Sequence, residues 1–308
     1  MSIFQYIDLF FRKSLIPFNN LRMKNNPDEK FLIEELRKNT KAIFIPKKNK
    51  LTDNQWLGNI LMLKKQILSE NPKNFLQWNV IRKTMFIGNA LFTIKEFLYL
   101  RINNWNKWKK TILESNYVPT EPYILYPGSS GNLIHQAYHI ARFEKISGQR
   151  IEDFDSIFEF GGGYGSMCQL IHNLGFKGNY IIFDLPVFST LQAFFLKMNG
   201  LDVNPSNMSK KAKILCKSNL NEVKKIIPKK GKKLFIATWS LSESPLPIRK
   251  KIYPLIDKVD SHLISYQAFF GKVDNRKYFA DFRKKMKKKQ WYNQEILQLK
   301  NNYYLFGF

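Results

Sequence analysis

Two cysteines, Cys168 and Cys216, are all that the 308 residues contain. That is too few for a disulfide framework or a cysteine-based metal set. Both read as small core residues, in a number that suits a reducing compartment. No run of eighteen apolar residues occurs, so no membrane-spanning helix is expected. The first residues lack the basic segment and small-residue cleavage site of a secretory leader, and the expected location is cytoplasmic. The stretch from Ile3 to Phe18 is apolar on one side, with Arg12 and Lys13, and packing on the protein body is preferred to a membrane surface. Acids are scarce, 24 against 50 lysines and arginines, for a net charge of +26. That excess invites a nucleic-acid partner. Arginine, however, is scarce within it, 10 residues against 40 lysines. Phosphate and base recognition favours arginine with aromatic partners. The lysines accompany plentiful Asn, Ile and Phe, as a compositional bias spread along the chain would produce, so no nucleic-acid partner is expected. The densest run, Arg283 to Lys289, reads as a solvated helix face.

What the chain does have is a glycine turn. Ile157-Phe158-Glu159-Phe160 is an apolar run without helical spacing and reads as a buried parallel strand. Gly161-Gly162-Gly163-Tyr164-Gly165 follows, then Ser166 to His172, which can form a helix. Strand, glycine turn and helix let backbone approach a ligand closely and aim helical N–H groups at it. Gly161, Gly163 and Gly165 alternate where side chains would block that approach. A second apolar run, Tyr180 to Phe183, ends at Asp184, placed to accept both hydroxyls of a ribose. The competing reading of Asp184 is a helix-capping acid.

Residues 1–120 read as a helical accessory region, with apolar residues at three- and four-residue spacing in Phe31 to Leu36 and Leu57 to Met62, and a longer amphipathic stretch from Trp78 to Trp108. Nothing in it resembles a catalytic motif. After Pro119, Pro122, Pro127 and Gly128, Ser130 or Asn132 can cap a helix running to about Lys145 that carries His135 and His139 on one face. Beyond the glycine unit, strands at Lys213–Cys216, Lys233–Thr238 and His262–Tyr266 alternate with helices at Phe188–Met198 and Pro247–Asp257, which argues a parallel, doubly wound sheet. Tyr292–Leu299 and Tyr303–Phe308 read as a closing hairpin around Lys300-Asn301-Asn302.

Five βα strands closed by a hairpin, with Glu159 two residues before a G-G-G-Y-G turn, resemble the class I S-adenosylmethionine-dependent methyltransferases. Taken with Phe183-Asp184-Leu185-Pro186, Trp239-Ser240-Leu241-Ser242-Glu243 and Ser130 to Gln136, residues 121–308 resemble the sugar O-methyltransferase family. The resemblance implies an α/β, Rossmann-like sheet of five parallel strands plus an antiparallel hairpin. It implies S-adenosylmethionine as cofactor and a sugar or glycan as acceptor, in polysaccharide biosynthesis. Glu159, Gly161, Gly163 and Gly165 would contact its methionine and ribose parts, Asp184 the ribose hydroxyls, and Leu185 the adenine. Asn219 would sit near the adenine amino group, an amide where an acid is commoner. Thr238 to Ser240, Trp239 included, would line the space beside the transferable methyl.

The chemistry needs an acceptor oxygen aligned behind that methyl and a base for its proton. His135 and His139 are the candidates, with structural histidines as the alternative reading, and Glu243 is in reserve, otherwise a helix-capping acid. Tyr164 and Trp239 can stack on a sugar ring or pack in the core. His172 and His262 read as structural, and no metal set is expected. The rival readings are an RNA methyltransferase, favoured by charge alone, an idle relative that binds a partner through its N-terminal helices, and a NAD-dependent enzyme. Those helices can also carry a homo-oligomer interface.

Overall fold

The computed structural model describes residues 23–46, 52–204 and 214–308. The amphipathic stretch from Ile3 to Phe18 and Lys213 at the head of the third expected strand lie outside them. The sheet begins with β1 (Ser156–Phe160), buried at all five positions. Next come α7 (Ser166–Asn173), β2 (Asn179–Phe183), α8 (Pro186–Met198), β3 (Ile214–Lys217), α9 (Leu220–Ile226), β4 (Lys233–Thr238), α10 (Leu246–Ile256) and β5 (Ser261–Gln267). A two-stranded ribbon, β6 (Phe269–Phe270) with β7 (Val273–Asp274), leads to α11 (Asn275–Lys285). The strands β8 (Trp291–Glu295) and β9 (Asn302–Gly307) close the chain.

The strand order is β3-β2-β1-β4-β5-β9-β8. The first five are parallel, and β9 lies antiparallel to both β5 and β8. This is the expected Rossmann-like sheet of five parallel strands plus an antiparallel hairpin, and the hairpin inserts its second strand beside β5. Phe158 of β1 lies opposite Ile181 of β2 and Phe235 of β4 on one face, and Ile157 opposite Tyr180 and Leu234 on the other, so the centre of the sheet is apolar on both faces, as a strand covered by helices requires. The order turns back between β1 and β4, which opens a crevice beyond their carboxyl ends, where ligands of such sheets bind.

Ahead of the sheet run α1 (Glu29–Ala42), α2 (Asn54–Ser69), α3 (Asn79–Thr84), α4 (Leu91–Ile102), α5 (Trp105–Thr111) and α6 (Gly131–Ser147). The stretch read as one amphipathic segment from Trp78 is three helices. A loop from Met85 to Ala90 interrupts it, and Asn104 at φ 65° caps α5 from the left-handed region. On α6, Ser130 caps the N-terminus by accepting from the Leu133 N–H (3.1 Å), and Gly148 at φ 69° ends the helix. Leu63 and Ile67 of α2, Phe97 and Leu100 of α4, and Ile134 and Phe143 of α6 share one buried core with Ile157, Ile182 and Phe306 of the sheet. The helical segment therefore lies over the sheet face rather than beside it. A second core fills the other face, built from α10, α11 and strand residues such as Phe235 and Ile264. No helix among the described residues is long and apolar enough to cross a membrane.

Candidate active site

A cavity of about 620 Å³ occupies the crevice at the switch point. One wall is the glycine turn after β1, with Asp184 and Leu185 after β2, and Thr238 to Ser240 with Glu243 after β4. The opposite wall comes from the helical segment, notably Trp56, Arg82 to Ile87 and Phe92, and α6 adds Asn132, His135 and Gln136. The first 120 residues carry no catalytic motif, and as an accessory region they cover the site: their side chains close this wall of the cavity.

The turn works through missing side chains. Gly161 and Gly163 hold φ of 72° and 60°, where L side chains are strained. A Cβ on Gly161 would collide with the Ser240 side chain, whose hydroxyl donates to the Phe160 carbonyl. Gly161→Ala is expected to destabilise the fold by roughly 1–3 kcal/mol, the scale of strain plus overpacking, and to register as a lowered melting temperature. Gly165, at φ 100°, does not line the cavity; it caps α7 and packs toward Leu196.

Two acids face the cavity beside this turn. Glu159 is buried and accepts from the Tyr180 hydroxyl (2.9 Å); burial pushes its pKa up to about 8, with Asp184 adding to the rise. Asp184 accepts from the Leu185 N–H and from Gln192 Nε2, both at 2.7 Å, and burial raises its pKa to about 7. The Gly163 and Gly162 backbone N–H groups also bear on this carboxylate and hold the rise down, so the glycine turn and the Asp184 loop are tied together. A third acid, Glu243, lies 3.4 Å from Gln267 Nε2 and is likewise raised by burial.

The histidines divide by position. His135 lines the cavity and is 1% exposed. Its Nδ1 lies 2.9 and 3.0 Å from the two carboxylate oxygens of Glu96, a fully buried residue of α4 that Gln298 Nε2 also meets at 2.8 Å. The carboxylate accepts the Nδ1 proton, which leaves Nε2 with a lone pair, and Nε2 has no hydrogen-bond partner among the described residues. Trp239 stacks on the same ring at 5.4 Å and 23°. It holds a left-handed φ of 62°, rare for a bulky residue, and is pinned by its indole N–H on Asn302 Oδ1 (2.6 Å).

His139 sits one helical turn further on, behind His135 with ring centres 4.1 Å apart, and is not among the lining residues. Its Nδ1 is hydrogen-bonded to the Tyr304 hydroxyl (2.6 Å), and burial holds its pKa well below the ordinary value. His139 supports the site without facing the cavity. Asn219 is also elsewhere than expected: its Oδ1 accepts from the Asn221 N–H (2.9 Å) to cap α9, and Ser218 lines the cavity instead. Tyr164 is core, edge-on to Phe195, with its hydroxyl accepting from Asn132 Nδ2 (2.7 Å). His172 bonds the Cys168 carbonyl and His262 the Ile256 carbonyl, both structural. Among the described residues no group of three or more His, Cys, Asp or Glu side chains is arranged to hold a metal ion.

No protein-family model matches the chain, and no curated protein matches it. Solved structures similar to it include the methyltransferase domain of bacterial CtHen1, at 11% identity and a TM-score of 0.39 over 56% of this chain and 96% of that one. Another is precorrin-6y C5,15-methyltransferase from Geobacter metallireducens, at 12% identity and a TM-score of 0.37 over 56% and 86%. A third is an O-methyltransferase family protein from Burkholderia thailandensis, at 13% identity and a TM-score of 0.33 over 70% of each chain. None of these three superpositions reaches a TM-score of one half, so the functional reading rests on this chain's own topology and cavity.

Proposed function

We propose that the protein is an S-adenosylmethionine-dependent O-methyltransferase acting on a sugar hydroxyl, in the building of a glycan or polysaccharide, in the cytoplasm. One observation carries the reading: a single switch-point cavity holds the ribose-facing Asp184, the glycine turn with Glu159, and His135 with its lone pair unengaged. The acids match the cofactor's charge. The methionine end brings an ammonium, a carboxylate and a sulfonium, a net positive charge that Glu159 and Asp184 attract, whereas a nicotinamide dinucleotide would set a doubly charged pyrophosphate against Glu159 at the same turn.

When bound, the cofactor supplies a methyl group on a positively charged sulfur leaving group. Gly161 and Gly163 would admit its methionine part, Asp184 would hold the ribose and Leu185 would pack on the adenine. His135 Nε2 would receive the proton of the acceptor hydroxyl, whose oxygen would take the methyl group that the cofactor supplies. Glu96 fixes the histidine's tautomer and stabilises the imidazolium, and Trp239 fixes the ring plane. Glu243, which lines the cavity from the turn after β4, is the second base to test.

The charge of +26 favours one alternative, an RNA ribose hydroxyl as acceptor, and the same base would serve it. Incubation with methyl-labelled cofactor and separate pools of nucleotide sugars, glycans and total RNA decides between them: label in a sugar pool supports the reading, and label only in RNA overturns the acceptor. A homo-oligomer through the N-terminal helices is also proposed, with the exposed stripe Leu91, Ile94, Leu98 and Ile102 on α4 as its face.

The raised acids make a further expectation. A carboxyl raised in the fold stabilises it fully below the unfolded pKa and loses that contribution as pH rises through the folded value. For Asp184 this window runs from about 4 to about 7, and for Glu159 from about 4.5 to about 8. The ligand needs both ionised, so binding expels protons. S-adenosylhomocysteine titrated at pH 7 in buffers of different ionisation heat is expected to show net proton release that vanishes above pH 9, with affinity rising between pH 6 and 8.

A further inference from the structure

The lysine excess is not spread evenly over the folded surface. Three turns meet at the end of the sheet where β4 and β5 begin: residues 229–233, 257–260 and 285–289. They are tied together, since the Lys233 N–H donates to Asp260 Oδ2 (2.7 Å) and Lys289 Nζ donates to the carbonyls of Val259 and Asp260 (2.7 Å each). Around that tie stand Lys229, Lys230, Lys258, Lys285, Lys287 and Lys288, all exposed. None of the six forms an ion pair with an acid among the described residues. Of the acids beside it, Asp155 and Asp260 accept the backbone N–H groups of Lys232 and Lys233, and Asp257 accepts from the Tyr253 hydroxyl (3.4 Å), which leaves the three turns strongly positive in sum. The patch lies at the opposite pole from the cavity, which opens at the far ends of the same strands, seven residues or roughly 20 Å along β5.

We infer that this lysine platform is a docking surface for an anionic membrane leaflet, on which the protein rests with its cavity turned away from the bilayer. The inference is independent of the reaction assigned to the cavity. Its partner follows from the chemistry of the patch. Compact ammonium groups attract a diffuse anionic surface without needing fixed geometry, and clustered lysines are what anionic headgroups hold. Bases would need an aromatic stacking platform, and no large hydrophobic side chain is exposed on these three turns; Phe282 and Trp291 lie beneath them, packed on each other. An RNA held here would also be a sheet's length from the cavity that would have to act on it.

The test is co-sedimentation of the full chain with vesicles of phosphatidylcholine alone or mixed with phosphatidylglycerol, alongside a gel shift with a short RNA duplex. Binding is expected to the phosphatidylglycerol vesicles only, and to vanish near 1 M salt, where the screening length shrinks to about 3 Å. The triple variant Lys229→Gln, Lys258→Gln, Lys287→Gln is expected to bind about 100-fold more weakly, from about fivefold per lysine. Its melting temperature and its S-adenosylhomocysteine affinity should match those of the wild type. Equal binding to both vesicle types, no binding to either, a triple variant that binds like the wild type, or lysine-dependent binding of the RNA duplex without vesicle binding would each overturn the inference.

Discussion

Replacing Asp184 with alanine is expected to weaken S-adenosylhomocysteine binding by about 100-fold or more. The loss has two sources. Hydrogen bonds from the ribose hydroxyls to a charged acceptor contribute about 1.5–3 kcal/mol each, and two of them go together. The deletion also strips the acceptor from Gln192 Nε2 and from the Leu185 N–H, both held at 2.7 Å, so the loop after β2 loses the anchor that shapes the ribose site. Asp184→Asn separates the two effects. An asparagine keeps an acceptor for the Leu185 N–H but offers an NH₂ to Gln192 and to one ribose hydroxyl, so folding should survive while most of the affinity is lost. Calorimetry for affinity and thermal melting for folding read both. Wild-type affinity in the alanine variant would show that the ligand does not use this carboxylate.

The second large effect is on rate. His135→Ala is expected to slow methyl transfer by about 10²–10⁴-fold, the usual contribution of a positioned general base, with S-adenosylhomocysteine affinity unchanged. The split between rate and affinity is the informative part, because His135 is assigned to the acceptor and not to the cofactor. Glu96→Gln should cost less, about 10–100-fold, since glutamine can still accept the Nδ1 proton but cannot stabilise the imidazolium by charge. Glu96→Ala adds a folding penalty of about 1–3 kcal/mol, because it leaves a buried histidine N–H and the Gln298 amide without an acceptor. If His135→Ala transferred methyl groups at the wild-type rate while His139→Ala or Glu243→Gln did not, the base would have to be reassigned.

The parts of this site that could be read from the sequence are those built by neighbours along the chain. Glu159, the glycines and Asp184 belong to two consecutive strand–turn–helix units, and the backbone needs of each unit are written in its own residues. The terminal hairpin was legible for the same reason, as two strand-like runs, although its first strand ends at Glu295 rather than Leu299 and the connection is residues 296–301 rather than Lys300-Asn301-Asn302. Glu96 was not. It lies 39 residues ahead of His135 on another helix, and only packing brings the two together. A signal was present: in Leu91 to Ile102, Thr93, Glu96, Phe97 and Leu100 fall at three- and four-residue spacing on the buried face, and an acid there requires a partner. Asn219 was misplaced because a residue ending a strand also opens the next helix, and a local cap draws its side chain away from the cavity. The lysine platform was hidden because its three turns are far apart in sequence and meet only where parallel strands start side by side.

On the proposed function the cavity is built for S-adenosylmethionine. Calorimetric titration of the purified protein with S-adenosylhomocysteine, and separately with NAD and NADH, tests it most directly. Micromolar binding of S-adenosylhomocysteine, with no heat from either nicotinamide ligand, is the predicted result. Saturable binding of NAD or NADH without binding of S-adenosylhomocysteine would contradict it and assign the glycine turn to a dinucleotide.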